Sequence, residues 1–237
     1  MENQLIETDA VKQALSEAGW DLSEELDDLH TETSGFELPR VRVEHKDNGK
    51  HRMYIHTGES YLSDDSQEIE IPGNKLTAVV FAEQSIRAFW KEGEEVPACS
   101  GIDGRPVGSD PISESCNHCE HAVIGGACKP KVRLLILAEL NGEIKPLIMN
   151  LSPTSIKHWN GHKKKLQRSN LPAVAVNTTF ELEDVKKNGY RWAEVRLGMS
   201  GIATKEILII AKTARTELEA LTDRITPSDF DDDGDRN

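Results

Sequence analysis

Alternation of hydrophobic and polar residues predicts three β-hairpins in this chain. Their strands are predicted at 38–44 with 51–56, 132–140 with 144–151, and 174–183 with 190–197. Each pair flanks an Asn-Gly dipeptide, at Asn48-Gly49, Asn141-Gly142 and Asn188-Gly189, and Asn-Gly is a strong signal for a tight hairpin turn. A further β-rich run covers residues 75–81. The pattern therefore favours a mainly β protein.

Helical spacing of apolar residues appears in three places. Residues 5–15 predict a short acidic helix, and a helix is predicted to begin at Pro153 and end near Arg168, since proline is favoured in a first helical turn. Residues 204–222 predict an amphipathic helix near the C-terminal end. The predicted class is therefore α+β, mainly β.

From residue 75 onward the predicted order is strand, long loop, strand, strand, helix, strand, strand. This is the order of an oligonucleotide/oligosaccharide-binding (OB) fold, a five-stranded Greek-key barrel. We therefore expect an OB-fold-like five-stranded barrel with flanking helices, although other small mixed folds share this order. The long loop would join the first and second strands, and it is one of the two loops that bind ligand in such barrels.

All four cysteines of the chain fall in this long loop, as Cys99, Cys116, Cys119 and Cys128. A Cys-x-x-Cys pair presents two thiolates to one tetrahedral ion, and two further thiolates complete the closed shell of a structural zinc site. The glycines and prolines between them cannot build a hydrophobic core, so a metal would supply the order. We predict a zinc loop over residues 97–130 that holds its shape and performs no chemistry.

Other uses of the cysteines stay open. Disulfides are disfavoured because the chain begins Met1-Glu2-Asn3-Gln4 without the pattern of a secretion signal, and a redox pair lacks its usual strand-to-helix context. An iron–sulfur cluster also uses four cysteines. His118 or His121 would be an alternative ligand to Cys99.

The charge of the chain is uneven along its length. Its 237 residues hold 41 Asp and Glu against 28 Lys and Arg, a net charge of −13. Residues 1–34 carry −9 and residues 217–237 carry −6, which leaves +2 on residues 35–216. We therefore predict an acidic N-terminal segment, a nucleic-acid-binding domain over residues 35–216, and a C-terminal helix end followed by an acidic tail.

No acidic residue lies between Glu143 and Glu181, and the lysines and arginine in this stretch make a local positive potential. Its basic residues are candidates for phosphate contacts, and nearby aromatic residues are candidates for stacking on bases. The candidate nucleic-acid contacts are Lys157, Trp159, Lys163, Lys164, Lys165, Arg168, Tyr190 and Trp192. The alternatives are a solvated helix face for the lysines and a place in the core for each aromatic ring.

The C-terminal segment contains Asp229, Phe230, Asp231, Asp232 and Asp233. It is too charged and too short to pack by itself, so we expect a disordered acidic tail after Pro227. The alternating aspartates also match the first positions of a calcium loop, but no glutamate follows at its twelfth position.

This tail resembles the acidic tip of bacterial and phage single-stranded DNA-binding proteins, and the loop from Cys99 to Cys128 resembles zinc-loop proteins that phages encode near their replication and recombination genes. The resemblance implies single-stranded DNA binding in the cytoplasm of a phage-infected or mobile-element host cell. It also implies that Asp229 to Asp233 recruit replication or recombination proteins and compete with DNA for a basic groove.

Signals for catalysis and for membranes are weak. The usual glycine-rich nucleotide loops and the serine-hydrolase elbow do not occur, and the longest apolar runs are about five residues, far below the roughly 20 that span a bilayer. His158 and His162 have helical metal-pair spacing without an accompanying glutamate. We expect no enzyme and no membrane protein. The alternative function is a zinc-ribbon transcription or replication accessory protein that binds a protein partner through its acidic ends.

Overall fold

A computed structural model describes residues 38–46, 48–57, 67–94, 96–107, 110–123, 125–218, 225–226 and 229–230. The chain divides into two units after Glu37, and the described residues all belong to the second unit. The predicted acidic helix within residues 1–34 and the predicted tail residues Asp231, Asp232 and Asp233 lie outside the described residues.

The described part of the chain contains ten strands and two α-helices. The strands are β1 (Arg40–Glu44), β2 (Arg52–Thr57), β3 (Gln67–Glu70), β4 (Lys75–Phe89), β5 (Cys99–Ile102), β6 (Arg105–Val107), β7 (Lys129–Leu140), β8 (Glu143–Leu151), β9 (Val176–Lys187) and β10 (Tyr190–Ile202). The helices are α1 (Pro153–Arg168) and α2 (Lys205–Glu217). The predicted mainly β, α+β class is confirmed, and the three predicted hairpins are β1–β2, β7–β8 and β9–β10.

Local sequence explains where these elements begin and end. Asn141 and Gly142 have φ values of 54° and 83°, the positive values that a two-residue hairpin turn requires. Pro153 occupies the first turn of α1, and the Thr204 side chain accepts a hydrogen bond from the Ile207 N–H at the start of α2. Within the described residues, no helix has the length and apolar character needed to cross a membrane.

The strands form one sheet in the order β10-β9-β4-β7-β8-β1-β2-β3, with the β5–β6 hairpin attached to the far end of β4. Neighbouring strands are antiparallel, except that β1 runs parallel to β8. The sheet is not closed into the predicted five-stranded barrel. The reason is that β1 occupies the parallel position beside β8 at which a last strand would close a barrel, so that β10 stays at an edge of the described sheet.

Side chains nevertheless bring the first and third hairpins into contact. The His51 Nε2 atom lies 3.0 Å from Asp184 Oδ1, and Asp184 also accepts two hydrogen bonds of 2.7 Å from Arg191. A Cβ atom at Gly49 would overlap the flexible end of the Arg191 side chain, and the φ of 74° at Gly49 favours glycine at this tip of β1–β2. The sheet is therefore curled, with its two ends joined by side chains.

The two faces of β7 contact different partners. Val132, Leu134 and Ile136 point into the main core, which also takes residues from β1, β2 and β10. On the opposite face, Leu135 and Leu137 pack with the buried side of α2. The curl thus encloses one core, while α2 covers part of the outer face of the sheet.

Candidate functional site

The four cysteines surround one small cavity at the end of β4. Cys99 begins β5 and pairs with Phe89 of β4, and Cys128 directly precedes β7. Cys116 begins a short 3₁₀ turn between these strands, and Cys119 is the extended residue between this turn and a second one. All four thiols are free and line a cavity of about 20 Å³, which is the scale of one water molecule or one ion. The tertiary structure therefore brings together the four predicted ligands.

Two glycines permit the close approach of the loop backbone in this region. A Cβ atom at Gly101 would overlap the Cys116 sulfur, and one at Gly126 would overlap the carbonyl oxygen of His121. The same His121 carbonyl accepts a 2.9 Å hydrogen bond from the Cys128 N–H. The glycines are therefore needed for compactness of the cysteine loop and not only for flexibility.

The cysteines do not form a metal-binding group as they stand. Among the described residues, no three His, Cys, Asp or Glu side chains are arranged to hold one metal ion, so zinc stays a prediction. Burial raises the pKa of the Cys128 thiol to about 11 against the opposing charge of Arg87, and burial also raises the pKa of Cys116. Of the alternative ligands, His121 lines the cavity and stacks on Phe89 at a ring distance of 4.6 Å.

Trp159 does not offer a face for stacking on a base. Its side chain is 1 % exposed and belongs to the main core, because α1 turns this residue toward the curled sheet. The Lys163 ammonium lies 5.5 Å from the Trp159 ring centre. The prediction that Trp159 stacks on a base is therefore wrong for this structure, because its ring is a structural part of the core.

Two of the predicted phosphate contacts are paired with acidic residues in this structure. Lys157 donates a 2.8 Å hydrogen bond to Glu194 of β10, and Lys163 donates one of 2.5 Å to Glu83 of β4. The Trp192 indole N–H also donates to Glu194, at 3.1 Å. Glu194 therefore joins α1 to β10. Sequence reasoning missed Glu194, because the pattern of hydrophobic and polar residues along a strand does not distinguish a buried glutamate from a solvent-exposed one.

The remaining predicted cations are exposed on α1. Lys164, Lys165 and Arg168 make no hydrogen bond or ion pair with the described residues, and Tyr190 is 76 % exposed. Strand alternation places Tyr190 on the same side of β10 as Trp192, as the sequence predicts. These residues are available to a ligand without any rearrangement.

Glu194 is expected to make protein stability depend on pH. Burial alone raises its pKa, but hydrogen bonds from Lys157, His158 and Trp192 outweigh burial and lower the pKa to about 2. Its contribution is therefore complete above the unfolded-state pKa of about 4.3 and is lost as the pH falls toward 2. Urea unfolding of Glu194→Gln should show less loss of stability over this range than the unchanged protein. An identical pH profile for both proteins would contradict this role.

The C-terminal segment lies against the domain at the two positions that the structure describes beyond residue 226. Asp229 is 0 % exposed and Phe230 is 8 % exposed. The prediction of a disordered tail from residue 228 onward is therefore wrong for these two residues. The physical reason is that the folded domain supplies opposite charges for Asp229 and apolar neighbours for Phe230.

Asp229 is held by cationic and amide groups from three neighbouring strands. It accepts hydrogen bonds of 2.7 Å from Arg40 on β1 and 2.5 Å from Arg133 on β7, and 3.2 Å from the Asn150 amide on β8. Burial alone raises the pKa of Asp229, but the two guanidinium groups outweigh burial and lower it to about 2. The carboxylate is therefore ionised and fully enclosed.

Phe230 continues this contact along the same face of the sheet. Its ring lies 5.0 Å from the Trp90 ring in an edge-to-face arrangement and 5.2 Å from the Lys131 ammonium. Lys131 and Arg133 are both 2 % exposed. Sequence reasoning missed this cationic surface, although Arg40-Val-Arg42 lies within a predicted strand and Lys131-Val-Arg133 at the start of another, each alternating basic and apolar residues.

Comparison with known proteins adds no relative to this picture. Neither the protein-family models, nor the curated proteins, nor the solved structures give a significant match to this chain. The features that bear on function are the cysteine loop, the exposed cations of α1 and the cationic surface beneath Asp229 and Phe230.

Proposed function

We propose that this protein binds single-stranded DNA without catalysis and largely without regard to sequence, in DNA replication, recombination or repair of a phage or mobile element. The observation that carries the proposal is the buried contact of Asp229 and Phe230 with the cations of β1 and β7. A surface that holds a carboxylate and an aromatic ring has the chemistry that a nucleotide requires. Phosphate would take the place of the carboxylate, and a base the place of the ring.

The arginines suit a phosphate group. Arginine binds carboxylate and phosphate oxygens through the same planar set of donors, and Arg40 and Arg133 already converge on one carboxylate within 2.7 Å. Arg133 also donates a 3.1 Å hydrogen bond to Gln84 of β4.

The C-terminal segment would compete with DNA for this surface. The Asp229 carboxylate occupies the position between the two arginines, so a phosphate reaches them only when the segment leaves. Recruitment of replication or recombination proteins through residues 229–233 would require the same release, because Asp229 and Phe230 are buried while they are docked. Salt weakens DNA binding through counterion release but acts much less on the docked contact of Asp229, because that ion pair is buried.

The cysteine loop would support this function as a structural zinc site. Cys99, Cys116, Cys119 and Cys128 would hold the ion, and their convergence on one ion-sized cavity fits this group. Zinc with four thiolates has no open coordination position and therefore stabilises structure without taking part in a reaction. The chain's own contribution is the pair of tight turns that brings Cys116 and Cys119 beneath β5.

Fluorescence titration with oligo-dT and with a matched duplex tests the function. We expect preference for the single strand, quenching of tryptophan fluorescence, and a logarithm of affinity that falls with the logarithm of salt concentration. The triple variant Lys164→Ala, Lys165→Ala, Arg168→Ala should lower the slope by about 0.7 for each lost phosphate contact. The double variant Lys205→Ala, Lys212→Ala removes two exposed cations from the other helix, α2, and as the control should bind like the unchanged protein.

The same titration tests the C-terminal segment. Phe230→Ala removes the ring that lies beside Trp90 and Lys131, so it should weaken docking and raise the affinity for oligo-dT. An unchanged affinity would exclude competition by the segment. Absence of any binding to oligo-dT at low salt would overturn the proposed function as a whole and favour the accessory protein that binds a protein partner.

A further inference from the structure

We propose that the cysteine site and the C-terminal segment regulate one another, because a metal bound by the cysteines strengthens docking of Phe230 and docked Phe230 strengthens metal binding. This inference rests on the proposed zinc site and gives the proposed DNA surface a regulator. The structural basis is that both sites share the β4–β5 ladder and lie on its opposite faces.

Alternation along β4 separates the two sites. Arg87 and Phe89 line the cavity of the cysteines. Ile86 and Ala88 are 1 % and 0 % exposed and belong to the cluster that contains Phe230. The same strand therefore presents every second side chain to the cysteines and the others to the C-terminal segment.

The β5–β6 hairpin repeats this division. Cys99 lines the cavity and Gly101 lies directly against the Cys116 sulfur. The next residue, Ile102, is 3 % exposed in the Phe230 cluster, against which Val107 of β6 also packs. The hairpin that carries the first cysteine therefore also supplies part of the apolar seat of Phe230.

The hairpin is held against β4 by a short ladder and by its turn residue Asp103, which exchanges two hydrogen bonds of 2.8 Å with Ser85. Its ladder with β4 covers four residue pairs, from Ile86 with Ile102 to Phe89 with Cys99, and the hairpin itself has three. On the far side, Cys116 donates its N–H to the Gly104 carbonyl at 3.1 Å. Because so short a hairpin has little core of its own, a metal ion bound by Cys99 and the other three cysteines would hold it against β4. Loss of that ion would let Ile102 and Val107 move away from Phe230.

Coupling of this kind is reciprocal. If metal binding strengthens docking of the segment by some factor, docking strengthens metal binding by the same factor. Coupling between two sites is typically about 5- to 150-fold. The consequence for the proposed function is that removal of the metal would release Asp229 from Arg40 and Arg133 and expose these arginines to phosphate.

The first experiment measures zinc affinity of the full chain by competition with a chromophoric chelator. Phe230→Ala should bind zinc about 5- to 150-fold more weakly than the unchanged protein. Ile209→Ala is the matched control, because Ile209 is an apolar residue of α2 that is 59 % exposed and outside the Phe230 cluster, and its zinc affinity should be unchanged. Phe230→Leu keeps an apolar side chain and should show a smaller loss, which provides a readout if the alanine variant unfolds.

The second experiment measures docking without DNA. Amide hydrogen exchange of residues 225–230 should be faster after the zinc is removed with a chelator, and slow again when zinc is restored. Equal zinc affinity in the Phe230 variants, or equal exchange with and without zinc, would overturn the coupling. A folded protein that binds no zinc would overturn both the coupling and the zinc site. Coupling that persists in a protein without affinity for oligo-dT would instead leave the inference standing and overturn the DNA-binding function.

Discussion

Replacement of Asp229 by asparagine is expected to lower the free energy of unfolding by about 3–5 kcal/mol, the usual cost of breaking a buried ion pair by removing one partner. The variant keeps the shape of the side chain but leaves Arg40 and Arg133 without the carboxylate that lies between them, 2.7 and 2.5 Å away. Urea unfolding followed by circular dichroism measures the difference. The size of the effect follows from burial, since both arginines are at least nine-tenths buried.

Asp184→Asn is the matched control for this measurement. Asp184 also accepts hydrogen bonds from an arginine, at 2.7 Å from Arg191, but its side chain is 37 % exposed. We therefore expect Asp184→Asn to have a small effect on stability, because solvent screens an exposed ion pair. Equal effects of the two substitutions would show that residue 229 is solvated in solution, as expected of a disordered tail.

Asp229 also predicts a pH dependence. Its folded-state pKa of about 2 lies below the unfolded value of about 3.9. Its stabilising contribution is therefore complete above about pH 4 and is lost as the pH falls toward 2. The stability of Asp229→Asn should fall less over this interval than that of the unchanged protein, so the two should become more alike in acid.

Replacement of Trp159 by alanine is expected to cost about 3–5 kcal/mol of stability, the usual effect of deleting a large aromatic side chain from a core. The ring is 1 % exposed and packs among residues of the curled sheet. Thermal unfolding of the purified variant measures the loss. A surface residue that stacks on DNA would instead change affinity and leave the unfolding temperature nearly unchanged.

Trp159→Phe sharpens this test. The indole Nε1 of Trp159 has no hydrogen-bond partner among the described residues, and a buried donor without a partner costs free energy. Phenylalanine removes that donor but also some volume, so we expect a much smaller loss than for alanine. The exposed counterpart is Tyr190→Ala, which should leave stability within about 0.5 kcal/mol while lowering affinity for oligo-dT.

The hairpins and helices were predictable because their signals are local. Asn141-Gly142 determines a turn by its own backbone preferences, and Pro153 suits the first turn of a helix wherever the helix packs. It was not predictable in this way that the sheet does not close into a barrel. That arrangement depends on β1, which is distant in sequence and pairs with β8 through only two residue pairs.

The candidate sites also differ in whether residues close in sequence are enough to predict them. The spacing of Cys116 and Cys119 predicts a shared site, and the four cysteines do converge on one cavity. The roles of Trp159 and Lys157 were not predictable, because periodicity does not tell which helix face meets the sheet or that Glu194 lies opposite Lys157.

The mainly β class, the hairpins and the cysteine loop were predictable, since each depends on residues that are neighbours along the chain. Docking of Asp229 and Phe230 depends instead on residues that come together only in the folded sheet. Within the described part of its own segment Asp229 accepts hydrogen bonds from Thr226 but meets no opposite charge, whereas the fold brings Arg40, Arg133 and Asn150 from three separate strands to one carboxylate. A buried charge is stable only where opposite charges and hydrogen bonds converge on it, and that convergence exists only after the sheet has formed.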